Sequence, residues 1–421
     1  MELLIESLVH GGDGLAHVDG RAVFVPFVVP GDRIRAKQLP ARAGAARALL
    51  EEVLAPGLSR IAPPCAVAGT CGGCQWQHVG YVAQLSAKFE TVRSLLSRAV
   101  GDRSFVLHPI MASPLTLYYR RRARFHPAGG GTLGFAAAEG AAVSAVSIDA
   151  CLLVEPAVQV AFERVREAAG RIPRLASIGI DVDEAGHFSI DARTVGSPTP
   201  SALARAEALL KLGAQGIAVG EERISTARVF GDPILRDASG VLVRPDCFAQ
   251  ANRRATPLVV ERALAALGPI AGRTVLELFA GAGTFTLPLL DRGAQVTAVE
   301  SWVTSLNLLR AASEKRKQTV RLLAADSLAT ARALAASNDR FDAVLLDPPR
   351  GGARSIAAPL SKLTDRVVYV SCDPATLARD ARELIAQGFR LEEATPIDLF
   401  PMTFHVEVVA LFVREQGGRR D

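Results

Sequence analysis

Leu276-Glu277-Leu278-Phe279-Ala280-Gly281-Ala282-Gly283-Thr284 leaves an apolar strand and enters a helical segment through a loop of small residues. Small residues at such a turn let backbone approach a ligand closely. Outward from it, Thr274 to Phe279, Gln295 to Val299, Val320 to Ala324, Asp342 to Leu346 and Arg366 to Val370 are apolar, strand-length runs separated by helical segments. That alternation is the pattern of a parallel, doubly wound sheet. Glu300 ends the strand after the glycine loop and is placed to accept hydrogen bonds from ribose hydroxyls. A dinucleotide fingerprint would carry a third glycine where Thr286 stands, and no phosphate-binding lysine follows. S-adenosylmethionine has no phosphate, so the shorter loop, with Gly281, Gly283 and Thr284, suits it better.

In an open α/β sheet the carboxyl ends of the strands line the ligand crevice. One apolar run ends in Asp347-Pro348-Pro349-Arg350 and the next in Ser371-Cys372-Asp373-Pro374, so Asp347 and Cys372 face that crevice. A cysteine thiolate can add to C6 of a pyrimidine and make C5 nucleophilic enough to attack a methyl sulfonium. Methylation leaves one proton too many on C5, and Glu407, in Phe404-His405-Val406-Glu407-Val408, is the candidate base. Cys247 reads as a small buried hydrophobe, and Asp373 and His405 as orienting or structural residues. A methyltransferase acting on a base nitrogen would need no Cys372 and more often carries D-P-P-Y than the D-P-P-R found here.

Upstream, Cys65, Cys71 and Cys74, with Cys151 as a fourth donor, offer four thiolates, the number that either tetrahedral zinc or an iron-sulfur cubane takes. Spacing alone leaves iron and zinc open. Val82, Leu85, Phe89, Val92, Leu95 and Leu96 recur at helical spacing, predicting an amphipathic helix over 81–98. Tyr118 to His126 packs four arginines among aromatic residues, and strand alternation would set Arg120, Arg122 and Arg124 on one face toward phosphates or bases. Residues 1 to about 60 read as glycine-punctuated short strands of a small β-barrel, including Leu3 to Val9 and Ala22 to Val29. Asp183-Glu184-Ala185-Gly186 reads as a hairpin turn, Asp237 to Gly240 as another turn, and Gly417 to Asp421 as a frayed tail.

A chain of 421 residues holds about three domains. Hydrophobic residues make up 49% and charged residues 22%, which excludes a disordered or coiled-coil protein. The net charge of +5 permits a polyanionic partner without demanding one. No apolar run approaches the ~20 residues of a membrane span, and the acidic start of the chain lacks the basic region of a secretory signal. The expectation is a cytoplasmic protein. Three cysteines within ten residues then suggest metal before disulfide.

Taken together, CAVAGTCGGCQWQH (65–78), YVAQLSAKFETVRSLL (81–96), YYRRRARF (118–125), FAQAN (248–252), LELFAGAGTFTL (276–287), LLDPPRGG (345–352), VYVSCDPATLARD (368–380) and FPMTFHVEVV (400–409) resemble the RNA uracil-5-methyltransferases. The likeness is to the ribosomal branch with an iron-sulfur cluster and an N-terminal TRAM domain. It implies a multidomain α/β protein: an OB-like TRAM barrel over 1–60, a central α+β domain over 61–245 that carries the cluster and binds RNA, and a Rossmann-like methyltransferase domain over 246–421. Helix 81–98 would pack on the catalytic domain, as in relatives. The resemblance implies Cys372 as nucleophile, Glu407 as proton acceptor, and Gln250, Phe279, Glu300, Asp326 and Asp347 around S-adenosylmethionine. Cys65, Cys71, Cys74 and Cys151 would hold a 4Fe-4S cluster, which decides between iron and zinc. The expected partner is 23S ribosomal RNA, acted on by a monomer with no protein partner evident. A transfer RNA target and a noncatalytic RNA-binding or ribosome-assembly factor are the alternatives. Relatives often carry asparagine where Thr284 stands, a departure from the family pattern at a cofactor position.

Overall fold

The computed structural model describes residues 1–42, 45–138, 144–222 and 227–414. The tail read as frayed lies outside them. Near the N-terminus, β1 (Glu2–Leu4), β2 (Ser7–Leu8), β3 (Gly14–Val18), β4 (Arg21–Val25), β5 (Arg33–Arg42) and β6 (Ala45–Ala55) form one sheet in the order β1-β5-β6-β4-β3-β2. Alternation places Leu3, Ala16, Val23, Val25, Ile34 and Ala36 on its buried face. The run from Leu3 divides into β1 and β2, and that from Ala22 stops at Val25, two residues before Phe27 takes a left-handed φ of 61°.

Next come α1 (Tyr81–Val100) and β7 (Val106–Leu107), and then a seven-stranded sheet. It is built from β8 (Arg122–Pro127), β9 (Leu133–Ala136), β10 (Ala145–Ser147), β11 (Leu175–Val182), β12 (Phe188–Thr194), β13 (Ala214–Glu221) and β14 (Ala227–Gly231), ordered β10-β9-β8-β11-β12-β13-β14. The β11–β12 hairpin turns at Asp183, whose carboxylate accepts the N–H groups of Ala185 and His187. Helices α2 (Pro156–Gly170) and α3 (Pro200–Glu207) contribute to the core that the sheet shares with Phe125 and Phe162. Two short strands, β15 (Leu235–Arg236) and β16 (Leu242–Val243), pair across the Asp237 to Gly240 turn.

The C-terminal sheet contains β17 (Thr274–Leu278), β18 (Gln295–Glu300), β19 (Arg321–Ala324), β20 (Ala343–Leu346), β21 (Arg366–Ser371), β22 (Arg390–Ile397) and β23 (Glu407–Val413), with β7 added at one edge. Its order is β19-β18-β17-β20-β21-β23-β22-β7. The first five strands are mutually parallel, and β23 runs antiparallel between β21 and β22. On one face lie α4 (Thr256–Leu267), α5 (Thr286–Asp291) and α6 (Val303–Lys315). On the other lie α1, α7 (Ser327–Ala336), α8 (Ala357–Leu363) and α9 (Pro374–Ala386). Leu278 is opposite both Val299 and Leu346, and Leu346 is opposite Tyr369. The carboxyl ends of four strands therefore open in register on one edge. Because β23 is antiparallel, its first residue, Glu407, is delivered to that same edge, with Val408 paired to Ser371.

Helix α1 reaches two residues beyond the expected range, and its buried face is turned relative to the apolar pattern. Val82 is 82% exposed, whereas Gln84, Lys88, Val92 and Leu96, spaced four apart, are fully buried. Two polar side chains thus occupy the inner face, each with partners there. No helix among the described residues is long and apolar enough to cross a membrane.

Candidate active site

At the end of β17, Phe279 adopts a left-handed φ of 62° and donates its N–H to Ser327 Oγ at 3.1 Å. Gly281 (φ 56°) donates to Glu300 Oε2 at 2.9 Å, and nothing lies within 4 Å of where a Cβ would stand. The loop therefore turns with its backbone open to a ligand. A Cβ on Gly283 would come within 2.5 Å of Leu309, so that glycine serves the packing of α5 against α6. The other oxygen of Glu300 accepts the N–H of Trp302 at 2.7 Å. Asp326 is exposed and caps α7 through the N–H of Ala329, while Gln250 and Thr284 are half-buried.

Cys372, immediately after β21, is partly exposed. Its thiol is pushed up to about 12, by burial first and then by the carboxyls of Glu407 and Asp347. Asp347, just past β20, is raised to about 7 by burial. Glu407 is 2% exposed and lies well above the ordinary carboxylate range, through burial and then through Asp347. A fourth acid, Glu277, escaped the sequence reading because it sits inside an apolar strand run. It is 1% exposed and raised to about 8, chiefly by burial, although Thr286 donates its hydroxyl at 2.6 Å. A carboxyl within an otherwise apolar strand was the signal available.

At the mouth, His405 Nε2 lies 3.2 Å from Arg350 Nη2, and burial, followed by the Arg350 charge, lowers that histidine to about 3. Asp373 is raised by burial but pulled down overall to about 2 by His10 and by the N–H groups of Thr376 and Ala375, which it caps at the start of α9. His10, from the first turn of the N-terminal sheet, stands 3.7 Å from Asp373 and edge-on to Phe404 at 5.9 Å. The site edge is thus contacted by the N-terminal sheet.

Cys65, Cys71, Cys74 and Cys151 all line one cavity of about 190 Å³, walled by Val67, Phe135, Ile148 and Leu153. Burial raises the thiols of Cys71 and Cys151 and takes Cys74 to about 12. The N–H of Gly73 points at Cys71 Sγ, 3.4 Å away. Among the described residues, no group of three or more His, Cys, Asp or Glu is placed to hold a metal ion.

The arginine strand departs from expectation. It begins at Arg122, so alternation does not extend to Arg120. The guanidinium of Arg120 lies 5.9 Å from both the Tyr119 and Phe400 rings and lines the cysteine cavity, with Nε buried and unpartnered. Arg122 donates to the carbonyls of Pro245, Cys247 and Ala249 and so supports the loop that leads to Gln250. Arg121 is wholly buried against Asp181. Of the three candidates, Arg124 alone has an exposed side chain, and it is paired with Asp191. Buried carbonyls demand donors, which draws Arg122 inward rather than toward a polyanion, while Arg120 is held between the Tyr119 and Phe400 rings.

Residues 241–415 match the family model described as tRNA (Uracil-5-)-methyltransferase. A Pseudomonas putida protein named 23S rRNA (uracil(1939)-C(5))-methyltransferase RlmD is 34% identical, the match covering 97% of this chain and 92% of that one. A protein of the same name from Alkalilimnicola ehrlichii is 35% identical, covering 98% and 96%. Among solved structures, the Pyrococcus abyssi tRNA (uracil-54, C5)-methyltransferase in complex with S-adenosyl-L-homocysteine superposes with a TM-score of 0.75 at 24% identity, covering 98% of this chain and all of that one.

Proposed function

Because the chain belongs to the RNA uracil-5-methyltransferase family, we propose that it transfers a methyl group to C5 of a uridine in 23S ribosomal RNA by way of a covalent bond from Cys372 to C6. The observation that carries the mechanism is the convergence of Asp347, Cys372 and Glu407 on the aligned strand ends, close enough that both carboxyls act on the Cys372 thiol. The ribosomal target is favoured because the full-length relatives, rather than the domain model alone, carry that name. The intact constellation speaks against a noncatalytic RNA-binding factor.

S-adenosylmethionine bound along Gly281, Glu300 and Asp347 supplies the methyl group and a positive sulfonium. The open space above Gly281 and the acids left unneutralised in the crevice fit it. Gln250, Phe279, Gly283, Thr284 and Asp326 complete the surroundings we assign to it. In the free protein Cys372 is held as a thiol, so its reactivity is suppressed until a cation enters the crevice. On addition, the proton of Cys372 passes to solvent as its sulfur bonds to C6, and the C5–C6 double-bond electrons shift toward C5 and the C4 carbonyl. C5 then takes the methyl group, and the electrons of the broken C–S bond stay on the donor sulfur. Glu407 removes the proton left on C5, the double bond reforms, and the C6–sulfur bond breaks to release Cys372 as thiolate. C6 is inaccessible within a stacked helix, so the uridine must be flipped out or lie in a loop.

We also assign the N-terminal sheet (1–60) as an OB-like TRAM barrel, 61–245 as the central RNA-binding domain and 246–421 as a Rossmann-like catalytic domain. In that arrangement α1 and β7 pack on the catalytic sheet. We assign to the four cysteines a 4Fe-4S cluster, whose irons would take one thiolate each, so that no three thiols need converge on a single ion. The cysteines line one cavity, as a cubane with one thiolate per iron requires, and Arg120 lines the same cavity. The test is RNA carrying 5-fluorouridine, whose C5 fluorine cannot leave as a proton. With S-adenosylmethionine, 23S fragments should trap a denaturant-resistant adduct that transfer RNA does not. Trapping or activity that persists in Cys372→Ala would refute the nucleophile.

A further inference from the structure

The segment between β22 and β23, Asp398 to Val406, ends on Glu407, and other parts of the chain hold its backbone. The carbonyl of Leu399 accepts Asn252 Nδ2 at 2.9 Å, that of Phe400 accepts Lys88 Nζ at 3.1 Å, that of Pro401 accepts the Tyr119 hydroxyl at 3.0 Å, and that of Met402 accepts the Trp76 N–H at 3.0 Å. In return, the Met402 N–H donates to Gln84 Oε1 at 2.9 Å. Met402 sits at a left-handed φ of 67°, a conformation that a side-chain-bearing residue keeps only where its surroundings over-determine it. Lys88 is central to this arrangement. Its Nζ also lies 2.6 Å from Asp398 Oδ1, and both side chains are fully buried. An ion pair with no access to water adds little net stability compared with an apolar pair, but it fixes geometry.

We propose that Lys88, on a helix outside the catalytic strand order, is a positioning residue that sets Glu407 against the C5 proton by holding this strap. Gln84 and Tyr119 assist it. The inference rests on Glu407 being the base. Misplacing a reacting group by about 1 Å can cost on the order of a hundredfold in rate, and the loss should fall on the step at which Glu407 acts.

Lys88→Met alone would strand a buried carboxylate, so the test is the neutral pair Lys88→Met with Asp398→Asn. The double variant should fold and bind S-adenosylmethionine as the wild type does, with KM for RNA nearly unchanged. Its kcat should fall by about 10- to 100-fold, while a denaturant-resistant adduct accumulates on ordinary uridine RNA. If the double variant does not fold, Tyr119→Phe, which removes a single bond to Pro401, should give the same split as a loss of a few-fold. A folded variant with wild-type kcat, or a loss confined to KM or cofactor affinity, overturns the proposal. Glu407→Gln assayed in parallel separates the two readings. If that variant turns over normally, the base assignment fails. If it stalls with adduct while the double variant does not, only the role of Lys88 fails.

Discussion

Replacing Glu277 by glutamine should stabilise the free protein, and more so as pH rises. The carboxyl is 1% exposed, one of its oxygens has no hydrogen-bond partner, and Asp347 and Glu300 add repulsion to the burial that lifts it from 4.5 to about 8. At 1.36 kcal/mol per pH unit, that displacement corresponds to about 5 kcal/mol between protonation states. Below pH 4.5 the acid is protonated in both folded and unfolded chains and imposes no slope. Between 4.5 and 8 the unfolded chain ionises while the folded one retains its proton, so stability falls as pH rises. Glutamine keeps an acceptor for the Thr286 hydroxyl but cannot ionise. Urea unfolding followed by circular dichroism at pH 5 and pH 8.5 should show the variant gaining on the wild type by about 3 to 5 kcal/mol across that interval. Asp347 and Glu407 impose slopes of the same sign on both proteins, so the difference reports Glu277 together with its repulsion from Asp347. Parallel stability curves would refute the reasoning, since a carboxyl that ionises normally in the folded state cannot be desolvated.

The remaining predictions concern the reaction and the cysteine cavity. Glu407→Gln should form the Cys372 adduct and transfer methyl, then stall before release; wild-type turnover would remove Glu407 from the mechanism. At saturating cofactor, kcat should rise with pH as the raised Glu407 ionises, and Asp347→Asn should move that rise to lower pH by removing the neighbouring charge; an unmoved profile would show the two groups to be independent. Anaerobically purified protein should be brown with about four irons per chain, and Cys71→Ser should weaken stability and RNA binding while sparing S-adenosylmethionine affinity. A colourless protein with one zinc, or a large loss of cofactor affinity, would contradict that assignment.

Residues at the carboxyl ends of strands were legible in the sequence because buried parallel strands are continuous apolar runs, so Asp347, Cys372 and Glu300 announce themselves where those runs stop. The strand that brings in Glu407, β23, is also a continuous apolar run, but its antiparallel direction leaves no mark in its composition, so the run did not show which edge Glu407 reaches. Polar residues with internal partners were misread most often. Gln84 and Lys88 interrupt the apolar face of α1, and their partners, Met402 and Asp398, lie more than 300 residues away. For Arg122 the missing information was a set of loop carbonyls near Cys247. Periodicity reports which side chains are apolar, not which polar ones have been matched across the fold.

That distinction bears on the cofactor. Glycine spacing only tilted the choice between a dinucleotide and S-adenosylmethionine; family membership supports the second, and the crevice electrostatics agree with it. Glu277 is raised in part by Asp347 and Glu300, and Glu407 in part by Asp347, so four acids converge on one edge of the sheet. A pyrophosphate placed there would add negative charge beside Glu277, Asp347 and Glu407, which burial already holds from ionising. A sulfonium reverses the balance, because each acid that ionises in its presence recovers part of the desolvation it suffers alone. The same charge lowers the cost of the Cys372 thiolate, which otherwise stands near 12. On the proposed mechanism, nucleophile activation is coupled to donor binding through charge, and S-adenosylhomocysteine, which has lost the sulfonium, should leave Cys372 unreactive toward a thiol-alkylating reagent at neutral pH where S-adenosylmethionine should make it react.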